Sequence, residues 1–136
     1  MVIGRHYELT IRTNQNNDHV VLGLSGDLDM ESAPALTVEL KAVLGSRPVL
    51  IDLSGVEFMD STGVGVLVGA HREAAARGGA LLLAGPGPRL QKIFKITKLD
   101  KVFAIHDTME AAVQSLRSPL EVEGAPVETV VPGFEP

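Results

Sequence analysis

Residues 48–65 read PVLIDLSGVEFMDSTGVG. The opening PVLIDL (48–53) is a short, nearly continuous apolar run, which predicts a central strand buried on both faces. A loop, SGVEFMD, is expected next. A helix then runs from about residue 61 to 77, with Val64, Leu67, Val68, Ala74 and Ala75 as its buried stripe. The glycine pair at 78–79 ends it.

Upstream of this unit, YELTIRT (7–13) alternates with period two and predicts a strand. The polar turn NQNND separates it from a second strand, HVVLGLSG, its expected hairpin partner. Leu36, Leu40, Val43 and Leu44 recur at helical spacing, with Pro34 in the first turn and Gly45 as a stop. Downstream, ALLLAG predicts a buried strand, and GPGPRLQKIFKIT a short helix behind a stiff lead-in. KVFAI predicts a last strand and DTMEAAVQSLR a last helix, capped by Asp107 or Thr108. The order is β-β-α-β-α-β-α-β-α. It predicts one α/β domain: a mostly parallel sheet of about five strands with an antiparallel N-terminal strand, covered by about four helices. That domain is expected to span residues 1–117. Residues 118–136, SPLEVEGAPVETVVPGFEP, read as a flexible, Pro-containing acidic tail.

The 136-residue length suits one domain, and 45% apolar content supplies a core. Without Trp, and with 4% aromatics, that core must be aliphatic. The absence of Cys excludes disulfides and thiolate metal sites. Four scattered His (6, 19, 71, 106) show no metal spacing, so no metal is expected; His71 fits the core boundary. The N-terminus lacks the features of a secretory signal, and no apolar run approaches the ~20 residues that span a bilayer. A cytoplasmic protein without membrane contact is expected. Net charge is −5, and the tail's four Glu account for most of it. A near-neutral domain speaks against direct nucleic-acid binding.

FMDSTGV (58–64) carries the chemistry. It follows the central strand, where open α/β sheets place functional groups. The simplest reading is a helix N-cap by Asp60 or Ser61, with Phe58 and Met59 buried as anchors. A hydrolase elbow needs Gly-x-Ser-x-Gly, but Met59 stands where the first Gly should be. No Gly-Lys pair exists, which excludes a P-loop, and the prolines of GPGP remove amides that a phosphate cradle would use. A phosphoacceptor receiver would want its acid at an exposed strand end, whereas Asp52 lies inside LIDL. Reversible phosphorylation of Ser61 stays compatible with the fold, because free helix amides tolerate a phosphate. A partner having to desolvate that charge beside Asp60, Asp27 and Asp29 would not tolerate it.

GDLDMESAPAL, followed by the run VLIDLSGVEFMDSTGVGVLVGAHREAAARGGALLLAGPGPRLQKIFKITKLDKVFAI, resembles the anti-sigma factor antagonists of the STAS domain family. The most specific element is Asp-Ser-[Ser/Thr]-Gly-x-Gly, here Asp60 to Gly65; GDLD at 26–29 and RLQKIF at 89–94 support it. Asp27 stands where many members carry Glu. The resemblance implies a non-enzymatic, cofactor-free protein that binds an anti-sigma factor and so releases a sigma factor. The expected partner is a serine kinase of the histidine-kinase-like ATPase type. Phosphorylation of Ser61 would end the binding, and a serine phosphatase would restore it. Asp29, Asp60, Ser61, Thr62, Gly63 and Gly65 would form the partner-binding set, with Gly63 and Gly65 leaving room for approach. The alternative is a STAS module binding a nucleotide or other small ligand, or a scaffold subunit, in which Ser61 only caps a helix.

Arg89, Lys92, Lys95, Lys98 and Lys101 form a basic run, the first three on one helix face. It reads as a solvated face or as a docking patch for an acidic partner or the protein's own tail.

Overall fold

In the computed structural model, which describes residues 7–117, the central apolar run becomes the middle of a five-stranded sheet. Strands β1 (Thr10–Gln15), β2 (Val20–Leu28), β3 (Val49–Met59), β4 (Leu81–Ala84) and β5 (Ala104–His106) lie in sequential order. β1 is antiparallel to β2, and the remaining pairs are parallel. The helices are α1 (Ala33–Val43), α2 (Ser61–Ala76), α3 (Pro88–Ile96) and α4 (Met109–Ser115). The single α/β domain with its antiparallel first strand and four helices is as the sequence predicts.

Sequential strand order has a direct geometric result. Parallel crossovers are right-handed, so stepping always the same way across the sheet puts every crossover helix on one face. α1, α2 and α3 accordingly share a core with that face, through Leu36, Leu40, Leu67, Leu90 and Phe94 packed with Leu22, Ile51 and Leu83. α4 alone takes the opposite face, where Ala112 meets Leu50, Leu82 and Ala84. It reaches only part of that face: Thr10, Arg12, Asn14 and Ser25 stay exposed on β1 and β2. β3 is buried on both faces at Val49, Leu50, Ile51 and Leu53. Half-buried Asp52 is occupied locally, its Oδ1 accepting from the Ser54 amide at 3.0 Å.

Several boundaries differ from expectation. SGVEFM is the second half of β3 rather than a loop. β2 is nine residues long and offers partners as far as Leu28↔Met59, and register shifts between Gly23 and Ser25 and between Gly26 and Asp27 absorb the irregular pattern. KVF is not strand: Lys101 closes a 3-10 turn (Leu99–Lys101), and Phe103 is buried with its ring 6.2 Å from that of Phe94. β1 starts at Thr10, since the ladder is interrupted at Gly26, whose φ of +110° only glycine adopts without strain. A Cβ there would sit 2.2 Å from the Glu8 carbonyl oxygen. The buried stripe of α2 is Gly63, Leu67, Ala70 and Ala74; Val64 and Val68 are half-buried and Ala75 is exposed. Residues 118–136, the expected acidic tail, lie outside the described residues. No helix among the described residues is long and apolar enough to cross a membrane.

Candidate functional site

The β3–α2 junction is built around Asp60. Its backbone is extended, and its Oδ1 accepts from the Gly63 amide at 3.0 Å, an N-cap by geometry. Its other oxygen, Oδ2, accepts from the Met30 amide at 3.2 Å. The Asp60 amide donates to the Leu28 carbonyl at 3.2 Å. One residue therefore closes the helix and ties the β3–α2 turn to the β2–α1 turn.

The second turn is organised by Asp29. Its Oδ1 accepts from the amides of Glu31 and Ser32, each at 3.1 Å. Ser32 Oγ in turn accepts from the Asp29 amide at 3.0 Å and donates to the Asp27 carbonyl at 2.8 Å. These bonds hold Asp29 and Met30 beside Asp60 at one end of the sheet. Ser32 takes the N-cap position of α1 without capping it, because its hydroxyl is spent on this turn.

Ser61 and Thr62 open α2 and are exposed. Among the described residues their amides have no hydrogen-bond acceptor, the Gly63 amide being taken by Asp60 and the Val64 amide by the Asp60 carbonyl. Two free donors and the positive end of a 16-residue helix thus flank the Ser61 hydroxyl. No hydrogen bond to a base polarises that hydroxyl among the described residues. His71 sits at the core boundary with its ring 5.5 Å from that of Phe103. Nor do the described residues contain a group of three potential metal ligands.

Three expectations are corrected. Asp27 is buried, 4% exposed, and its Oδ2 accepts from the Tyr7 amide at 3.0 Å. It fastens the chain before β1 and does not face a partner beside Ser61. Phe58 is not a buried anchor: it is 43% exposed, while Met59 is 3% exposed. In an extended strand the two must point to opposite faces, and the face under Met59 is the one that α1, α2 and α3 cover. Gly63 is no opening for a partner either. A Cβ there would lie 2.5 Å from the Leu28 carbonyl oxygen, so this glycine lets α2 lie against β2. Gly65 does face open space.

Met30 was not anticipated. It is 72% exposed between the two turns, an apolar side chain in an otherwise acidic stretch. Its place in GDLDMES, a thioether among acids outside any periodic run, is the signal that could have singled it out.

Known proteins match the sequence and the fold. Residues 10–112 match the STAS domain model. The anti-sigma-B factor antagonist of Bacillus subtilis strain 168 is 34% identical over 107 residues, covering 78% of this chain and 98% of that protein. The crystal structure of an anti-sigma factor antagonist from Mycobacterium paratuberculosis superposes with a TM-score of 0.74 at 30% identity, covering 82% of this chain and 96% of that one. The Bacillus cell fate determinant SpoIIAA in its phosphorylated form gives a TM-score of 0.62 at 25% identity, covering 79% of this chain and 100% of the other.

Proposed function

The chain belongs to the STAS domain family, and on that footing we propose that it is an anti-sigma factor antagonist switched by phosphorylation of Ser61. It binds an anti-sigma factor and thereby releases a sigma factor. The partner is a serine kinase of the histidine-kinase-like ATPase type, which supplies the ATP, and a serine phosphatase reverses the modification. The chain itself is no enzyme and works in the cytoplasm without a cofactor, nucleic-acid contact or membrane contact.

The observation that carries the reading is the exposed Ser61 at the first position of α2, between two unused amides and next to a carboxylate already committed as a cap. A phosphate there adds roughly −1.5 to −2 charge. The helix end and its free amides accommodate that charge, so the domain keeps its fold. A partner packed on Met30, Asp29, Asp60, Ser61, Thr62 and the open backbone at Gly65 must instead desolvate a dianion, and it dissociates. Gly63 contributes from beneath, by setting the height of the helix over the sheet.

Incubation with the cognate kinase and ATP tests this. Phosphopeptide mass spectrometry is expected to place the phosphate on Ser61 rather than Thr62, and Ser61→Ala to take up none. Ser61→Asp is expected to bind the kinase at least about tenfold more weakly, a loss of about 1.4 kcal/mol. Equal binding by the Asp variant would refute the switch.

A further inference from the structure

We infer that the acidic segment after Arg117 docks in cis on the basic, apolar surface formed by α3 and the turn that follows it. Arg89, Lys92, Lys95, Lys98 and Lys101 are all exposed, and none forms an ion pair among the described residues. Asp100 and Asp107 are the acids of this region, so five basic residues face two acidic ones over 89–107. Apolar groups are exposed among these charges: Ile96 at 72% and Val102 at 46%. Along α3 runs a groove of about 570 Å³, floored by Phe94, Phe103 and Ile105, with Lys92 and Lys95 on the α3 side and Asp100 and Asp107 also on its rim, so the basic surplus of this surface comes from Arg89, Lys98 and Lys101 around it. It adjoins β5, an outer strand of the sheet whose paired neighbour is β4.

The occupant follows from composition and reach. Residues 118–136 carry Glu121, Glu123, Glu128 and Glu135, no Lys or Arg, and an interleaved apolar set including Leu120, Val122, Val127 and Val130. An acidic, apolar strip thus complements a basic, apolar surface. α4 carries the chain about 10 Å away from β5, at about 1.5 Å per residue. The groove lies on the α1–α3 face and α4 on the other, so the segment must also round the β5 edge; residues 118–136, at about 3.3 Å each, span roughly 60 Å, which is enough for both. The groove and the cations around it are therefore within reach of the segment's Glu and Val residues.

The chain lacks Cys, so Thr129→Cys provides a single nitroxide site on the full-length protein. At low salt, the amides of residues 91–97 and Phe103 are expected to lose most of their NMR intensity. In 1 M salt, where screening acts within about 3 Å, they recover. Lys92→Glu with Lys95→Glu removes the loss, and Lys92→Gln with Lys95→Gln reduces it with less perturbation. Adding Glu121→Lys, Glu123→Lys and Glu128→Lys to the Lys-to-Glu pair restores it. Loss centred elsewhere, or indifferent to these reversals, overturns the inference. So does equal loss when the label and the ¹⁵N are on separate molecules, which would assign the groove to a second copy. A groove quiet toward the tail that responds only to added anti-sigma factor would assign it to that partner and overturn the inference as well.

Discussion

Gly63 and Gly65 stand two residues apart in one helix turn, yet replacing each with Ala is expected to move stability in opposite directions. At Gly63 the added Cβ would lie 2.5 Å from the Leu28 carbonyl oxygen, 2.8 Å from Leu28 Cγ and 3.0 Å from Met59 Cγ. The nearest obstacle is backbone in a paired strand, so α2 must lift. Overpacking of this kind costs about 1–3 kcal/mol. The Ala helix preference returns about 0.5–1 kcal/mol. Because a side-chain rotation cannot clear a carbonyl, the upper part of the cost applies and a net loss of about 1–2 kcal/mol is expected, about 4–8 °C in Tm for a domain this size. At Gly65 nothing lies within 4 Å of the new Cβ, and the helix gain stands alone: about 0.5–1 kcal/mol of added stability. Without Trp and with a single Tyr, urea unfolding is best followed by far-UV circular dichroism. Shifts of the same sign for the two variants would refute the close packing of α2 on β2. Gly65→Ala also probes the partner: a variant that is more stable but binds the anti-sigma factor less well would indicate close approach to this backbone.

Asp60→Ala should lose the bonds to the Gly63 and Met30 amides and about 1–2 kcal/mol, while Asp60→Asn, which keeps an acceptor, should lose much less by chemical denaturation. Asp27→Ala is expected to cost about 1–3 kcal/mol through loss of a buried, hydrogen-bonded carboxylate, and faster hydrogen exchange at the Tyr7 amide would locate the loss. Phe58→Ala should be tolerated far better than Met59→Ala, which removes a buried side chain at about 2–5 kcal/mol. Gly26→Ala should be among the most damaging single changes, since both its φ of +110° and its contact with the Glu8 carbonyl exclude a side chain; soluble yield and Tm would report it.

The sheet and its helices were legible because their signals are local and repetitive. PVLIDL and ALLLAG are apolar runs bounded by turn residues, and α2 begins within a residue of its cap signal. What stayed hidden depends on neighbours distant in sequence. SGVEFM resembles a loop in isolation and becomes strand because β2 is long enough to pair with it. The buried state of Asp27 follows from Tyr7, twenty residues away, and the role of Gly63 from a carbonyl in β2. At the candidate site, Asp60 and Ser61 could be singled out from their residue types. Met30 offered only the weaker signal of a thioether among acids, because its exposure beside Asp60 follows from bonds that Asp29 and Asp60 make to the backbone of its turn.

The strict left-to-right order of the strands bears on how the protein is made. No strand is inserted between two earlier ones, so each emerging segment finds its neighbour already synthesised. The sheet can grow by accretion at one edge as the chain leaves the ribosome, N-terminal part first. The helices on the first face arrive between strands and cover it as it forms. The other face has no such escort. Leu50, Leu82 and Ala84 wait for α4, the last element in the described chain. Nascent chains stalled before residue 109 would therefore carry a bare aliphatic stripe, and it is these unfinished molecules, more than the completed domain, that need protection from aggregation.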